Sequence, residues 1–382
     1  MVMRKQVVIL LVILLSVTLY TFSAHAAEPI RIGSPLLLSG TGAYVGGAEK
    51  DTLEMMAADL NKAGGINGRP IEFIFYDEEG KPDVAVSMVK RLIQKDKVSA
   101  IVGISTSWTA LPIIPIVEKD EIPTIILAAA IKIVDPVKKW VFKTPADDRI
   151  VTSKLLSYMQ SQGIKRIALM STQDGFGDGG RSEITAQAPS FGISIVFDDK
   201  YTMQDTDITP TLSKIKKTDA QAVINWSSQR APIILTMNYR QIGLDLPLYQ
   251  SHAAFSKDFL DATGKNSEGV KTAAMKFYGA EKLPDSDPQK KVILGYQEAY
   301  KKKYGKETNQ FGGCALDGFN ILVAALKKAG DDKNKLRDAI EQTKGYVGIH
   351  GVFNYSPTDH GGISKDSILM YQAAGGTWNI IK

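Results

Sequence analysis

From Ile30 onward, short apolar segments alternate with amphipathic ones, and partway along the chain that alternation starts over. Ile30-Arg31-Ile32-Gly33 reads as a buried strand, and residues 49–62 as a helix with Leu53, Met56, Ala57 and Leu60 at helical spacing. Gly64-Gly65 ends that helix, and Asn67-Gly68 turns the chain into a strand over 71–76. A helix at 83–95, a strand at 98–102, a helix at 110–119 and a strand at 123–127 continue the series. After Phe142-Lys143-Thr144-Pro145 it restarts, with strands expected at 166–170, 193–197, 222–225 and 247–249 between helical segments. This pattern predicts an α/β fold with two doubly wound, parallel-sheet lobes facing a cleft. The helices expected at 290–304, 315–329 and 333–343 are too few for a third lobe and should return to the first. Residues 352–355 and 368–372 read as strands.

Residues 1–26 stand apart from this pattern and read as a cleavable secretory signal. Arg4 and Lys5 precede an apolar run over 7–19, and Ala24-His25-Ala26 offers a cleavage site. The run falls short of the ~20 apolar residues a membrane-spanning helix needs. No Cys follows it, so no lipid-modified N-terminus is expected. The chain should therefore work in the periplasm, where ATP, NAD and chromosomal DNA are scarce. The 46 basic and 41 acidic residues give +5, and loss of Arg4 and Lys5 brings that to about +3, which argues against nucleic acid as a partner. The one cysteine, Cys314, excludes an internal disulfide, and with four scattered histidines it makes a metal site unexpected.

Three segments could carry chemistry. Gly175-Phe176-Gly177-Asp178-Gly179-Gly180 matches a dinucleotide-binding glycine pattern after a strand and before a helix. However, Asp174 and Asp178 would set carboxylates beside a pyrophosphate, so we read it as a glycine-rich turn at the rim of a cleft, with no cofactor. Gly103-Ile104-Ser105-Thr106-Ser107 places hydroxyls at a helix N-terminus, where free N–H groups favour an anion. His252 follows a strand of the second lobe, and Trp226 follows another, at the strand ends where open α/β sheets bind ligands. Neither a nucleophile motif nor an orienting acid accompanies His252, so no catalytic residue is expected. The Lys301-Lys302-Lys303 run reads as a solvated helix face.

In order along the chain, Ser39-Gly40 with Tyr44, Ala63-Gly64-Gly65-Ile66-Asn67-Gly68, Tyr76-Asp77, Ile101-Val102-Gly103, Ile122-Pro123-Thr124, Phe142-Lys143-Thr144 and Asp174-Gly175-Phe176-Gly177 form a recognisable set. It resembles the leucine/isoleucine/valine-binding protein family, the type I periplasmic binding proteins of ABC importers, over essentially the whole chain after the leader. The resemblance implies two Rossmann-like lobes joined by a three-segment hinge, closing on a small ligand and presenting it to an inner-membrane ABC permease. Carried over residue by residue, it places a carboxylate-binding serine at Ser107 and a ligand-facing segment at Ala128, Ala129 and Ala130. The family's hydroxyl is missing at Ala130, and its ammonium-pairing acid falls at His252. Aromatic walls fall at Tyr44, Phe176 and Phe311, with Trp226 beside them.

These departures favour a carboxylate without an α-amine, an aromatic or aliphatic acid, because a buried ammonium needs a counter-charge or several acceptors. A protonated His252 would repel one. An amino acid remains the family's own expectation. The lobes are expected at 28–146 with 277–350 and at 147–276 with 351–382, in a monomeric, non-enzymatic solute receptor. The alternatives are a secreted hydrolase using His252 and a soluble sensor binding the same ligand class.

Overall fold

The computed structural model describes residues 28–382; the leader expected over 1–26 lies outside the described residues. In the first half of the chain, β1 (Ile30–Leu36), β2 (Ile71–Asp77), β3 (Ala100–Gly103), β4 (Thr124–Ile126) and β5 (Val141–Lys143) form a parallel sheet in the order β2-β1-β3-β4-β5. Successive residues of such a strand face opposite sides, so Ile101 packs into one helix layer and Val102 into the other. Helices Pro82–Gln94 and Ser107–Lys119 pack together over one face. Helices Ala43–Lys62 and Gln310–Ala329 pack together over the other. The late helix therefore returns to the first sheet, where its stripe of Ala315, Phe319 and Leu322 is buried with Leu53.

A second sheet begins with β6 (Arg166–Thr172), β7 (Ser194–Tyr201), β8 (Ala222–Trp226), β9 (Leu248–Gln250) and β10 (Lys271–Met275), all parallel. A small separate pair follows, β11 (Lys344–Val347) with β12 (Val352–Asn354). Antiparallel β13 (Ile368–Ala374) and β14 (Thr377–Ile381) then extend the second sheet, giving β14-β13-β10-β9-β8-β6-β7. Gly375 and Gly376, with φ of 61° and 70°, make the two-residue turn between those last strands, a conformation that favours glycine. The chain passes between the two sheets three times: after β5, after β10, and between β12 and β13. Among the described residues no helix is long and apolar enough to cross a membrane.

These are the two parallel-sheet α/β lobes expected from the sequence, and they set the carboxyl ends of β3, β4, β8 and β9 around one cleft. Adjacent parallel strands leave their following loops at the same edge, which is why segments distant in sequence meet there.

Candidate functional site

The cleft holds a partly open cavity of about 60 Å³, walled by both lobes. Ser107, Ala128 and Phe311 line it from the five-stranded side, and Phe176, Ser228 and His252 from the seven-stranded side. Such a volume admits a few waters or a compact organic ligand and excludes a dinucleotide.

The Ser107 side is held by a tight, mostly buried turn. Ile104, a β-branched residue, has a φ of 65°, sparsely populated for such a side chain. Its amide donates to the Pro35 carbonyl at 2.7 Å, and the next residue, Ser105, accepts the Leu37 amide at 3.0 Å. Ser105 Oγ also donates to the buried carboxyl of Glu49. Thr109 Oγ1 donates to Glu78 Oε1 at 3.0 Å. Burial raises both acids, Glu78 to about 8, so these are neutral groups holding the turn from behind. Thr106 caps the helix by accepting the Thr109 amide at 3.3 Å. The amides of Ser107 and Trp108 lie in the first turn, where no intrahelical acceptor exists, and Ser107 lines the cavity.

Ser107 Oγ accepts the Ala130 amide at 3.0 Å. Ala130 is thereby engaged with Ser107 and is not among the cavity-lining residues, whereas Ala128 and Ala129 are. Its role differs from the direct contact expected: it ties the segment after β4 to the helix N-terminus. Tyr44 also departs from expectation. It packs edge-on against Phe311, 5.9 Å between ring centroids, and lines a neighbouring crevice with Asp258 and Tyr278.

On the opposite wall, His252 opens a short 3-10 turn after β9 and is packed edge-on by Phe176 at 5.3 Å and by Trp226 at 5.7 Å. Trp226 is fully buried behind these two rings, does not line the cavity, and donates its indole N–H to Asp148 Oδ1 at 3.2 Å. Burial pushes the His252 pKa down to about 3, helped by the charge of Lys143 and by His350. The imidazole is therefore neutral. The repulsion of an ammonium expected from a protonated His252 does not arise; a neutral ring offers one donor and one acceptor.

Five residues were not assigned to this region from the sequence: Gln310, His350, Cys314, Asp317 and Lys143. Gln310 and His350 line the cavity beside His252, and Cys314 lies with them. Gln310 Nε2 donates to the His252 carbonyl at 3.0 Å. His350 Nε2 lies 3.0 Å from the Gln310 carbonyl and 3.1 Å from Cys314 Sγ. Asp317 holds the His350 loop by accepting the Ile349 and His350 amides at 2.8 and 2.9 Å. Lys143 is buried behind the lining, donates to the Pro145 carbonyl at 2.6 Å, and is held below its usual basicity by burial against the opposing pull of Asp147 and Asp148. One signal was available for Glu49: it falls four residues before Leu53, on the buried stripe of its helix.

The glycine-rich segment is helical rather than a turn. Helix Gly175–Gln187 begins inside it, capped by Asp174 Oδ1, which accepts the Phe176 and Gly177 amides at 2.8 and 3.0 Å. The glycines permit close packing: a Cβ at Gly177 would lie 2.1 Å from the Thr172 carbonyl, and one at Gly180 2.1 Å from the Trp226 indole nitrogen. Close approach to protein accounts for them without a phosphate.

Two α/β lobes crossed three times by the chain, with a cavity between their strand ends, define a cleft-type binding protein. Residues 29–377 match the family described as periplasmic binding protein, and the chain belongs to it. The leucine-, isoleucine-, valine-, threonine- and alanine-binding protein of Pseudomonas aeruginosa is 24% identical over 320 residues, 82% of this chain and 83% of that protein. An extracellular ligand-binding receptor from Rhodopseudomonas palustris HaA2 superposes with a TM-score of 0.87 at 26% identity, covering 92% of this chain and 99% of its own. The substrate-binding protein of a Streptococcus pneumoniae branched-chain amino acid transporter, solved with isoleucine, gives 0.81 at 21% identity over 93% and 99% of the two chains; at that identity the likeness establishes the fold.

Proposed function

We propose that the protein is a periplasmic solute receptor, delivered by the leader at 1–26, whose lobes (28–146 with 277–350, and 147–276 with 351–382) close on a small carboxylate and present it to an inner-membrane ABC permease. The observation that carries this reading is a cavity lined from both lobes, with the Ser107 helix N-terminus in one wall and His252 in the other. A ligand touching both walls stabilises the closed state by its differential contacts, which is what a hinge-closing receptor requires. Ser107 and the segment at Ala128 and Ala129 hold the carboxylate, while Phe176, Phe311 and His252 enclose the remainder, with Trp226, Tyr44 and Ala130 bracing them. The anion is an aromatic or aliphatic acid, or an amino acid of the kind named for the Pseudomonas relative. Hydrolysis is disfavoured because neither ring nitrogen of His252 meets an acid or a hydroxyl among the described residues.

Thermal-shift screening and calorimetry with leucine, valine, benzoate and 4-methylpentanoate test this directly. A ligand at ~100 times its Kd should add about 2.7 kcal/mol of stability. Absence of any response from all small carboxylates and amino acids would overturn the proposal.

A further inference from the structure

The cavity wall contains several polar atoms whose bonding leaves them one unmet need. Gln310 is 1% exposed, and its Nε2 is committed to the His252 carbonyl at 3.0 Å, so its orientation is set and Oε1 is the free end. His350 is 1% exposed, and its Nε2 lies 3.0 Å from the Gln310 carbonyl, an acceptor. That bond requires the proton on Nε2, which leaves Nδ1 of the neutral ring as a lone-pair acceptor. Among the described residues neither Gln310 Oε1 nor His350 Nδ1 has a hydrogen-bond partner, and the same holds for both ring nitrogens of His252. All three residues line the cavity. Buried acceptors left unpaired are costly, and native proteins satisfy them.

Building on the carboxylate-binding reading, we infer that the bound ligand is a hydroxylated carboxylate whose O–H groups donate to Gln310 Oε1 and His350 Nδ1, with His252 completing the shell. The donor is an uncharged hydroxyl rather than an ammonium. Among the described residues no carboxylate lines the cavity, and the cationic side chain that acts on both imidazoles is Lys143, whose sign opposes a second cation there. A bound metal would also use such atoms, yet among the described residues no three His, Cys, Asp or Glu side chains stand together in a way that could hold one.

Matched ligands decide the matter by calorimetry on the intact protein. One series is 4-methylpentanoate, 2-hydroxy-4-methylpentanoate and leucine; the other is benzoate, 3- and 4-hydroxybenzoate and 3,4-dihydroxybenzoate. In at least one series the hydroxylated member should bind about tenfold or more tightly than its parent acid, because a site built for a hydroxyl rejects the analogue lacking it. Gln310→Met should collapse that ratio to about threefold or less, whatever it does to absolute affinity, and far-ultraviolet circular dichroism reports that the variant is folded. Equal binding of parent and hydroxylated acids would overturn this inference and leave the carboxylate receptor standing. Tightest binding by leucine would also overturn it, in favour of ammonium recognition by neutral acceptors. Silence from both series would overturn both readings.

Discussion

Gln310 and His252, 58 positions apart in sequence, are joined by a 3.0 Å hydrogen bond from the Gln310 side-chain amide to the His252 carbonyl, which crosses from the helix over the first sheet to the turn following β9 of the second. Asp148 makes a second tie, accepting the Ile131 amide at 3.3 Å with one oxygen and the Trp226 indole with the other. The two lobes are thus joined by polar bonds across the cleft.

Removing the first tie should favour the open state. Gln310→Ala is expected to weaken ligand binding about 2- to 12-fold, the range of one net hydrogen bond. Small-angle scattering of the unliganded variant should show a larger radius of gyration. An unchanged radius together with unchanged affinity would mean the bond does not report on closure.

Ser107→Ala removes the acceptor of a buried amide and, on the proposed function, a contact to the carboxylate. The unpaired Ala130 N–H should cost about 1–3 kcal/mol of stability, and carboxylate affinity should fall severalfold or more. Thermal denaturation and calorimetry separate the two effects. Affinity equal to the parent protein would show that the assigned pocket is wrong.

Gly180→Ala places a Cβ 2.1 Å from the Trp226 indole nitrogen, and the indole cannot retreat without disturbing Phe176, His252 or Asp148. The expected loss is about 1–3 kcal/mol of stability, with weaker ligand binding although Gly180 lies outside the cavity wall. Gly47→Ala is the control: it is helical, has nothing within 4 Å of the added methyl, and should be neutral or stabilising by up to ~1 kcal/mol. Similar melting temperatures for the two variants would contradict the packing account.

Stability should fall as pH drops below about 4.5, and should also fall as pH rises above that value, most steeply above 6.5. His252 and His350 are lowered from 6.5 to about 3 and 4 by burial, so below 6.5 the unfolded chain binds protons that the folded chain refuses. Glu78 and Asp317 are raised by burial, from 4.5 to about 8 and from 3.8 to about 7, so above 4.5 the folded chain keeps protons that the unfolded chain releases. Between those limits the two histidines offset only part of the effect of the acids, because burial also raises Glu49 and Asp148 well above their ordinary values. Below them the histidines reduce stability as pH falls, and above 6.5 the acids reduce it as pH rises. Melting temperatures across pH 3–9 measure this, and Glu78→Gln should flatten the alkaline limb; an alkaline limb equally steep in that variant would remove Glu78 as a cause.

Much of the fold could be read from the residues in order. The restarted alternation of apolar and amphipathic segments specified two parallel-sheet layers, because buried parallel strands read as short apolar runs and surface helices as stripes. Ser107, Phe176 and His252 could likewise be placed at the cleft, since each follows a strand and parallel strands release their loops at a common edge. The glycine-rich segment was misread as a turn because glycine's poor helix propensity is local, whereas the reasons for those glycines, the Thr172 carbonyl and the Trp226 indole, are distant neighbours.

What only the tertiary structure decided is which polar groups are buried, and hence their charge and bonding. Glu78, Lys143, Gln310 and His350 look like ordinary solvated residues in sequence, yet all four are buried, Glu78 behind the Ser105–Thr109 turn and Gln310 and His350 in the cavity wall, where the returning chain places them. The neutrality of His252 follows from its burial and its nearness to Lys143, which lies 109 positions earlier in the chain. Periodicity encodes which face of an element is covered; the medium around a given ionisable group is set by the segments that fold over it, and its protonation state follows that medium.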